Sequence, residues 1–193
     1  MSKNPATGIS SLEAFDGKTK ELNVVIETPK GSRNKYKFDE EKEIFKLGGI
    51  LPLGASFPFD FGFIPQTIGG DGDPLDILIL MDEPAFAGCL IPARLVGVIE
   101  AEQTEDGKTE RNDRLIAVAC KSLTHSDTKT LNDLNENLVE QIKHFFVSYN
   151  EAKGKKFEPI GGFGVEKAER LVLEGVKIYR AKKRRKTAAP AKK

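Results

Sequence analysis

The 193-residue chain contains no tryptophan and only two cysteines, two methionines and two histidines. Cys89 and Cys120 both sit inside apolar, strand-like stretches, where a buried free thiol is the expected state and a disulfide or metal pair is not. No run of about 18 apolar residues occurs, which argues against a membrane-spanning helix. Met1 to Ser11 lacks the basic, apolar and small-residue order of a secretory signal, so the expected location is cytoplasmic, with no membrane partner. Internal repeats are also missing. What is present, 39% hydrophobic and 31% charged residues, is too apolar for wholesale disorder and suits one globular domain.

The formal net charge of +1 is unevenly distributed. Arg180 to Lys193 holds eight Lys or Arg and no acid, so the remainder carries 22 bases against 29 acids, about −7. An acidic body suits divalent cations better than nucleic acid, which is an unlikely partner. The basic tail itself has two readings, a solvated extension or a weak anion or RNA tether.

Short apolar stretches predict strands over Asn23 to Glu27, Lys35 to Phe38, Ile44 to Leu47, Leu75 to Leu80, Leu90 to Ala101 with a bend at Gly97, and Leu115 to Cys120. Leu51 to Gly70 is crowded with Gly, Pro and Phe and reads as a long irregular segment of the kind that builds sites. After Ser122 the period changes. Leu134, Leu138, Ile142, Phe145, Phe146 and Tyr149 recur at helical spacing, with Asn132 or Asp133 as N-cap, and a second amphipathic helix covers Val165 to Tyr179. Strands without regular βα alternation, followed by helices, predict an α+β fold: a small, highly twisted, OB-like β-barrel flanked by two amphipathic helices. The expected division is a flexible N-terminal arm over 1–20, a catalytic domain over 21–180 and a disordered basic tail over 181–193.

The most informative string is Gly69-Gly70-Asp71-Gly72-Asp73-Pro74-Leu75-Asp76, with three carboxylates within six residues. Two like charges about 4 Å apart repel by about 4 kcal/mol at an effective dielectric of 20, so their convergence calls for a counter-ion. Carboxylate and water oxygens are the ligands Mg2+ prefers. Asp76 shares a strand face with the apolar Leu78 and Leu80 and so points inward, where an uncompensated carboxylate is costly. A plain surface turn with Asx hydrogen bonds is the competing reading. An EF-hand is disfavoured because Pro74 falls at the fourth loop position and Leu75 at the fifth, where an oxygen ligand is required.

With Val24 to Pro29, Asn34-Lys35-Tyr36, Phe57 to Ile64, Pro92 to Val98, Leu115 to Val118 and Gln141 to Phe146, this string resembles the soluble (family I) inorganic pyrophosphatases over roughly residues 22–180. The resemblance implies a Mg2+-dependent inorganic diphosphatase that hydrolyses pyrophosphate, and a homo-oligomer. By the same resemblance, Asp71 and Asp76 hold a metal pair, Asp73 accepts the proton of the attacking water, and Glu27 binds a further metal. Lys35, Arg114 and Tyr149 contact phosphate oxygens.

Several positions depart from the family pattern. Lys37 stands for an expected Glu, Phe57 and Phe61 for tyrosines, Arg114 for Lys and Asn150 for Lys, and Gly48 and Gly49 lack an expected Arg for which Arg33 or Lys46 is a substitute. The third ligand of the metal pair falls on Asn112, with Gln103 and Thr104 at the upstream acidic pair. A one-residue slip or bulge would present Asp113 instead, assisted by Glu100 or Glu102, and Asp113 is therefore placed with the metal ligands. An alternative function is a weakened or redirected metal-dependent phosphate-binding homologue. His144 reads as structural, His125 as exposed, and the Phe57 to Phe63 stretch as core rather than a base-stacking surface. Gly31 to Lys35 lacks Walker spacing and a following helix.

Overall fold

A computed structural model describes residues 8–188. Among these the chain forms nine strands and two long helices: β1 (Leu22–Thr28), β2 (Asn34–Asp39), β3 (Ile44–Ile50), β4 (Asp60–Phe63), β5 (Asp76–Leu80), β6 (Leu90–Glu105), β7 (Lys108–Arg111), β8 (Arg114–Ala119), α1 (Glu136–Glu151), β9 (Lys156–Phe163) and α2 (Val165–Ala188). Short 3-10 turns occupy Ile9–Ser11 and Leu131–Asp133.

The large sheet is mixed. β1 pairs antiparallel with β4, β4 with β5, β5 parallel with β8, β8 antiparallel with β6, and β6 antiparallel with β1, so the pairings return to their start. The distal half of the long β6 carries β7 and β9. β2 and β3 form a separate ribbon. The period of two then assigns the cores. Leu78, Leu80, Ile116 and Val118 face one cluster with Ile142 and Phe146 of α1, while Ile77, Ile79, Leu115 and Ala117 face the other with Ala168 and Val172 of α2.

β6 bends where expected, with a register shift between Leu95 and Gly97. A Cβ at Gly97 would sit 2.4 Å from Leu131 Cγ and 2.5 Å from the Phe163 carbonyl oxygen, so the crowding there admits only hydrogen. α1 begins later than the sequence suggested. Asn135 is its N-cap, accepting from the Asn137 N–H at 2.9 Å, and Asn132 and Asp133 lie in the preceding 3-10 turn. β4 lies within the segment read as irregular, and β9 carried no expected strand.

Both terminal expectations need correction for the described residues. Residues 8–20 pack on the domain: Ala14 is buried, its carbonyl accepts the Asn23 N–H at 2.8 Å, and Phe15 bridges to Leu22. At the other end α2 does not stop near Tyr179 but continues to Ala188, through most of the stretch expected to be disordered. The stretch is rich in Ala, Lys and Arg, all good helix formers, and positive charge near a helix C-terminus is favoured by the helix dipole. Residues 1–7 and 189–193 of the expected arm and tail lie outside the described residues.

Candidate active site

One cleft of about 490 Å3 gathers the acidic string, the start of β5 and β8, the β2 strand, the end of α1 and the end of α2. Asp71 and Asp73 come from a tight turn closed by Gly69 N–H to the Asp73 carbonyl at 2.8 Å, with Gly72 at φ +85 in the left-handed region that glycine tolerates. A Cβ on Gly70 would lie 3.0 Å from the Arg111 carbonyl oxygen, so this glycine lets the turn approach the β7 end. The Asp73 N–H donates to Asp71 Oδ1 at 3.1 Å.

The parallel register Ile77 to Leu115 sets Asp76 beside Arg114, and the Arg114 Nη1 lies 2.7 Å from Asp76 Oδ2. That arginine side chain is only 5% exposed. Its guanidinium packs 4.9 Å from the Phe146 ring and 5.4 Å from the Phe157 ring, and it also donates to Asn112 Oδ1 and, at 3.1 Å, to the Asp113 carbonyl. On β2, the Lys37 ammonium lies 2.7 Å from Asp73 Oδ2. Lys35 stands over Phe61 and Tyr149, 5.0 and 5.5 Å from the ring centroids. Phe61 thus keeps the cation–π contact of an aromatic ring while offering no hydroxyl.

Glu27 is buried at the back, where its Oε1 accepts the Phe38 N–H at 2.7 Å. Burial raises its carboxyl to about 7, against the pull of the Phe38 N–H and Lys35, and Asp76 adds repulsion. Partial loss of hydration likewise pushes Asp71 above its ordinary value, with Asp76 and Asp73 contributing like-charge repulsion. For Lys37, burial pulls downward but is outweighed by the hydrogen bond and charge of Asp73, helped by Glu27 and Asp76, and the ammonium sits above its usual value.

Of the residues singled out by sequence, the cleft brings together Glu27, Lys35, Asp71, Asp73, Asp76, Arg114 and Tyr149. Asp113 is not among them. Alternation along the strand turns Asn112 and Arg114 into the cleft and Asp113 away from it. The Asp113 carboxylate accepts the Ala101 N–H at 3.0 Å and pairs with Arg111 at 2.8 Å, while Glu100 pairs with Arg111 and Lys167. The slip that would have presented Asp113 does not occur, and the neutral Asn112 occupies the cleft face, donating to Gln103 Oε1 at 2.9 Å. Glu102 is likewise no lining residue. Neither proposed substitute for the missing arginine lines the cleft: Arg33 Nε donates to the Leu51 carbonyl at 2.7 Å in an adjoining hollow that shares Lys35, Tyr149 and Lys153 with it, and Lys46 pairs with Asp39 at 2.8 Å.

Sequence reasoning missed the lysines around the rim. Lys153 and Lys155, from the turn between α1 and β9, and Lys182 and Lys183, from the end of α2, line the cleft. The run Lys153-Gly154-Lys155-Lys156 just beyond a helix end was the available signal for the first pair.

The carboxylates at Glu27, Asp71, Asp73 and Asp76 supply hard oxygen donors whose mutual repulsion a divalent cation relieves. Among the described residues, no three His, Cys, Asp or Glu side chains converge in a metal-holding arrangement. Asp73 and Asp76 turn to Lys37 and Arg114 instead. The donor chemistry fits a hard cation, with those two salt bridges as its competitors.

A family model described as inorganic pyrophosphatase matches residues 24–180. The inorganic pyrophosphatase of Synechocystis sp. is 39% identical over 159 residues, covering 82% of this chain and 92% of that protein. That of Halalkalibacterium halodurans is 37% identical over 162 residues, or 83% of this chain and 96% of the relative. The crystal structure of inorganic pyrophosphatase from Thermus thermophilus superposes with a TM-score of 0.81 at 30% identity, covering 90% of this chain and 99% of that one. The chain belongs to the inorganic pyrophosphatase family, a family of hydrolases.

Proposed function

We propose that the protein is a Mg2+-dependent inorganic diphosphatase that hydrolyses pyrophosphate to two phosphates. What supports this reading is one cleft in which Asp71, Asp73, Asp76 and Glu27 meet Lys35, Arg114 and Tyr149, in a chain of this family. Asp71, Asp76 and Glu27 would hold Mg2+, with Asp113 left out of the ligand set. When bound, the ion lowers the pKa of a water and neutralises charge on the phosphate oxygens.

The remaining chemistry belongs to the side chains. Asp73 takes the proton of the water as its oxygen bonds to phosphorus and the bridging P–O bond breaks. Lys35 and Arg114 hold the equatorial oxygens, and Tyr149 donates its hydroxyl, so positioning and charge carry the transfer. Arg114 reaches the substrate by giving up Asp76, and Asp73 becomes a base only when Lys37 lets go of it. Lys37 is in this sense a built-in competitor of the metal.

Finer features of this reading are a closed, OB-like barrel formed by the ring of pairings, a homo-oligomeric state and a cytoplasmic location. Among the described residues no helix is long and apolar enough to cross a membrane. The test is phosphate release from pyrophosphate with and without Mg2+. Asp73→Asn is expected to lower kcat by about 10²–10⁴-fold, and unchanged turnover in that variant contradicts the assignment of the base.

A further inference from the structure

The direction of the Arg114 guanidinium is set from one nitrogen. Its Nε is buried without a hydrogen-bond partner among the described residues. Nη1 meets Asp76 Oδ2 at 2.7 Å, the Asp113 carbonyl at 3.1 Å, and Asn112 Oδ1. The rings of Phe146 and Phe157 confine the group from the sides without telling its N–H donors apart.

A guanidinium only donates, so the atom that Asn112 presents to it is the amide oxygen. The Asn112 NH2 group is then turned the other way and needs an acceptor, which is Gln103 Oε1 at 2.9 Å. Each amide therefore has one consistent orientation, and both follow from the arginine. The backbone holds the pair in place: the Asn112 N–H donates to the Ala101 carbonyl at 2.9 Å, and Gln103 is in register with Phe157, one of the two rings on Arg114. Both amide side chains are half-buried and line the cleft.

Under the diphosphatase reading, Asp76 leaves Arg114 for Mg2+. The acceptors that stay on Nη1 are then Asn112 Oδ1 and the Asp113 carbonyl, and both are neutral. They give the guanidinium a direction while leaving its charge for the substrate. A carboxylate at position 112 would instead hold it in a charge-assisted pair about twice as strong, in competition with phosphate oxygens.

We propose that Gln103 and Asn112 are positioning residues for Arg114: Gln103 orients the Asn112 amide, and the amide oxygen keeps the guanidinium aimed at the phosphate while Asp76 serves the metal. The proposal rests on the diphosphatase reading for what Arg114 does, and on the hydrogen-bond pattern alone for how it is held.

The test has two parts, both on the full chain. The first is NMR of the arginine guanidinium groups in nitrogen-labelled protein in EDTA, in an Asp76→Ala background that removes the competing salt bridge. A hydrogen-bonded, enclosed guanidinium rotates slowly and shows separate Nη signals, which are assigned to Arg114 by their loss in Arg114→Lys. These signals are expected to persist in Asp76→Ala and to merge when Gln103→Met is added, since methionine offers no oxygen. Gln103→Glu restores an acceptor for Asn112 and is expected to keep them separate. The second part is pyrophosphate hydrolysis in Mg2+ with Asp76 intact, where Gln103→Met is expected to lower kcat/KM about fivefold, the equivalent of one neutral hydrogen bond. Arg114 signals that are already merged in Asp76→Ala, that stay separate with Gln103→Met, or that merge with Gln103→Glu overturn the proposal. An unchanged kcat/KM in Gln103→Met does the same. Absence of pyrophosphate turnover in the wild type would instead contradict the diphosphatase reading, and the NMR comparison would still decide whether the amide pair orients Arg114.

Discussion

Replacing Lys37 by Met should make the protein bind Mg2+ more tightly. The substitution keeps most of the apolar stem and removes the ammonium that lies 2.7 Å from Asp73 Oδ2. Two effects then act in one direction: Asp73 is freed, and a divalent ion entering beside it no longer meets a fixed positive charge. Unit charges about 4 Å apart interact by about 1 kcal/mol in water and about 4 kcal/mol at an effective dielectric of 20. The side chains of Lys37 and Asp73 are 47% and 59% exposed, so the aqueous figure is the appropriate one. Doubling it for a divalent ion gives about 2 kcal/mol, or about 30-fold in Mg2+ affinity. Calorimetric titration with Mg2+ at low ionic strength measures this directly, and the gain should shrink as salt approaches about 1 M, where the Debye length falls to about 3 Å. Unchanged or weaker Mg2+ binding in Lys37→Met would refute the idea that this lysine competes with the metal.

Three further outcomes can be checked. Glu27 has a folded-state carboxyl raised to about 7 from an ordinary 4.5, so the folded protein holds a proton that the unfolded chain releases between those values. Its contribution is therefore fully present below about pH 4.5 and is lost as pH rises through 7. In EDTA, denaturant titrations should show the wild type losing on the order of 3 kcal/mol relative to Glu27→Gln between pH 5 and 8, and a parallel pH dependence in both proteins would speak against the burial effect. Asp113→Asn breaks the carboxylate's pair with Arg111 and alters its bond to the Ala101 N–H; about 1–3 kcal/mol of stability should go, with Mg2+ affinity by calorimetry unchanged. A Cβ at position 62 would lie 2.1 Å from the Val25 carbonyl oxygen, between paired strands that cannot separate. Gly62→Ala should consequently destabilise by about 3 kcal/mol, read as a lowered denaturation midpoint.

Much of the fold follows from periodicity. Ile77 to Leu80 alternate between the two cores as their spacing requires, and Ile142, Phe146 and Tyr149 bury one face of α1. Features without a periodic signal escaped. β4 is four residues inside a Gly, Pro and Phe-rich segment, and β9, Lys-Phe-Glu-Pro-Ile-Gly-Gly-Phe, carries a proline and two glycines that disfavour a strand until the β6 edge pairs with it. The end of α2 carries no apolar stripe beyond Tyr179 to mark it as helix, and its continuation to Ala188 follows instead from the helix preference of Ala, Lys and Arg.

By itself the sequence determined the Asp71, Asp73, Asp76 string, the inward direction of Asp76 and the elements that carry Glu27, Lys35 and Arg114. These depend on neighbours a few residues apart, where strand alternation and turn chemistry act. Tertiary structure alone decided that Asn112 and not Asp113 faces the cleft, that Lys37 meets Asp73 across 36 positions of sequence, and that Lys182 and Lys183 reach the same cleft. Charges attract by distance in space, and that distance is set by sheet register and helix length, neither of which a local pattern contains.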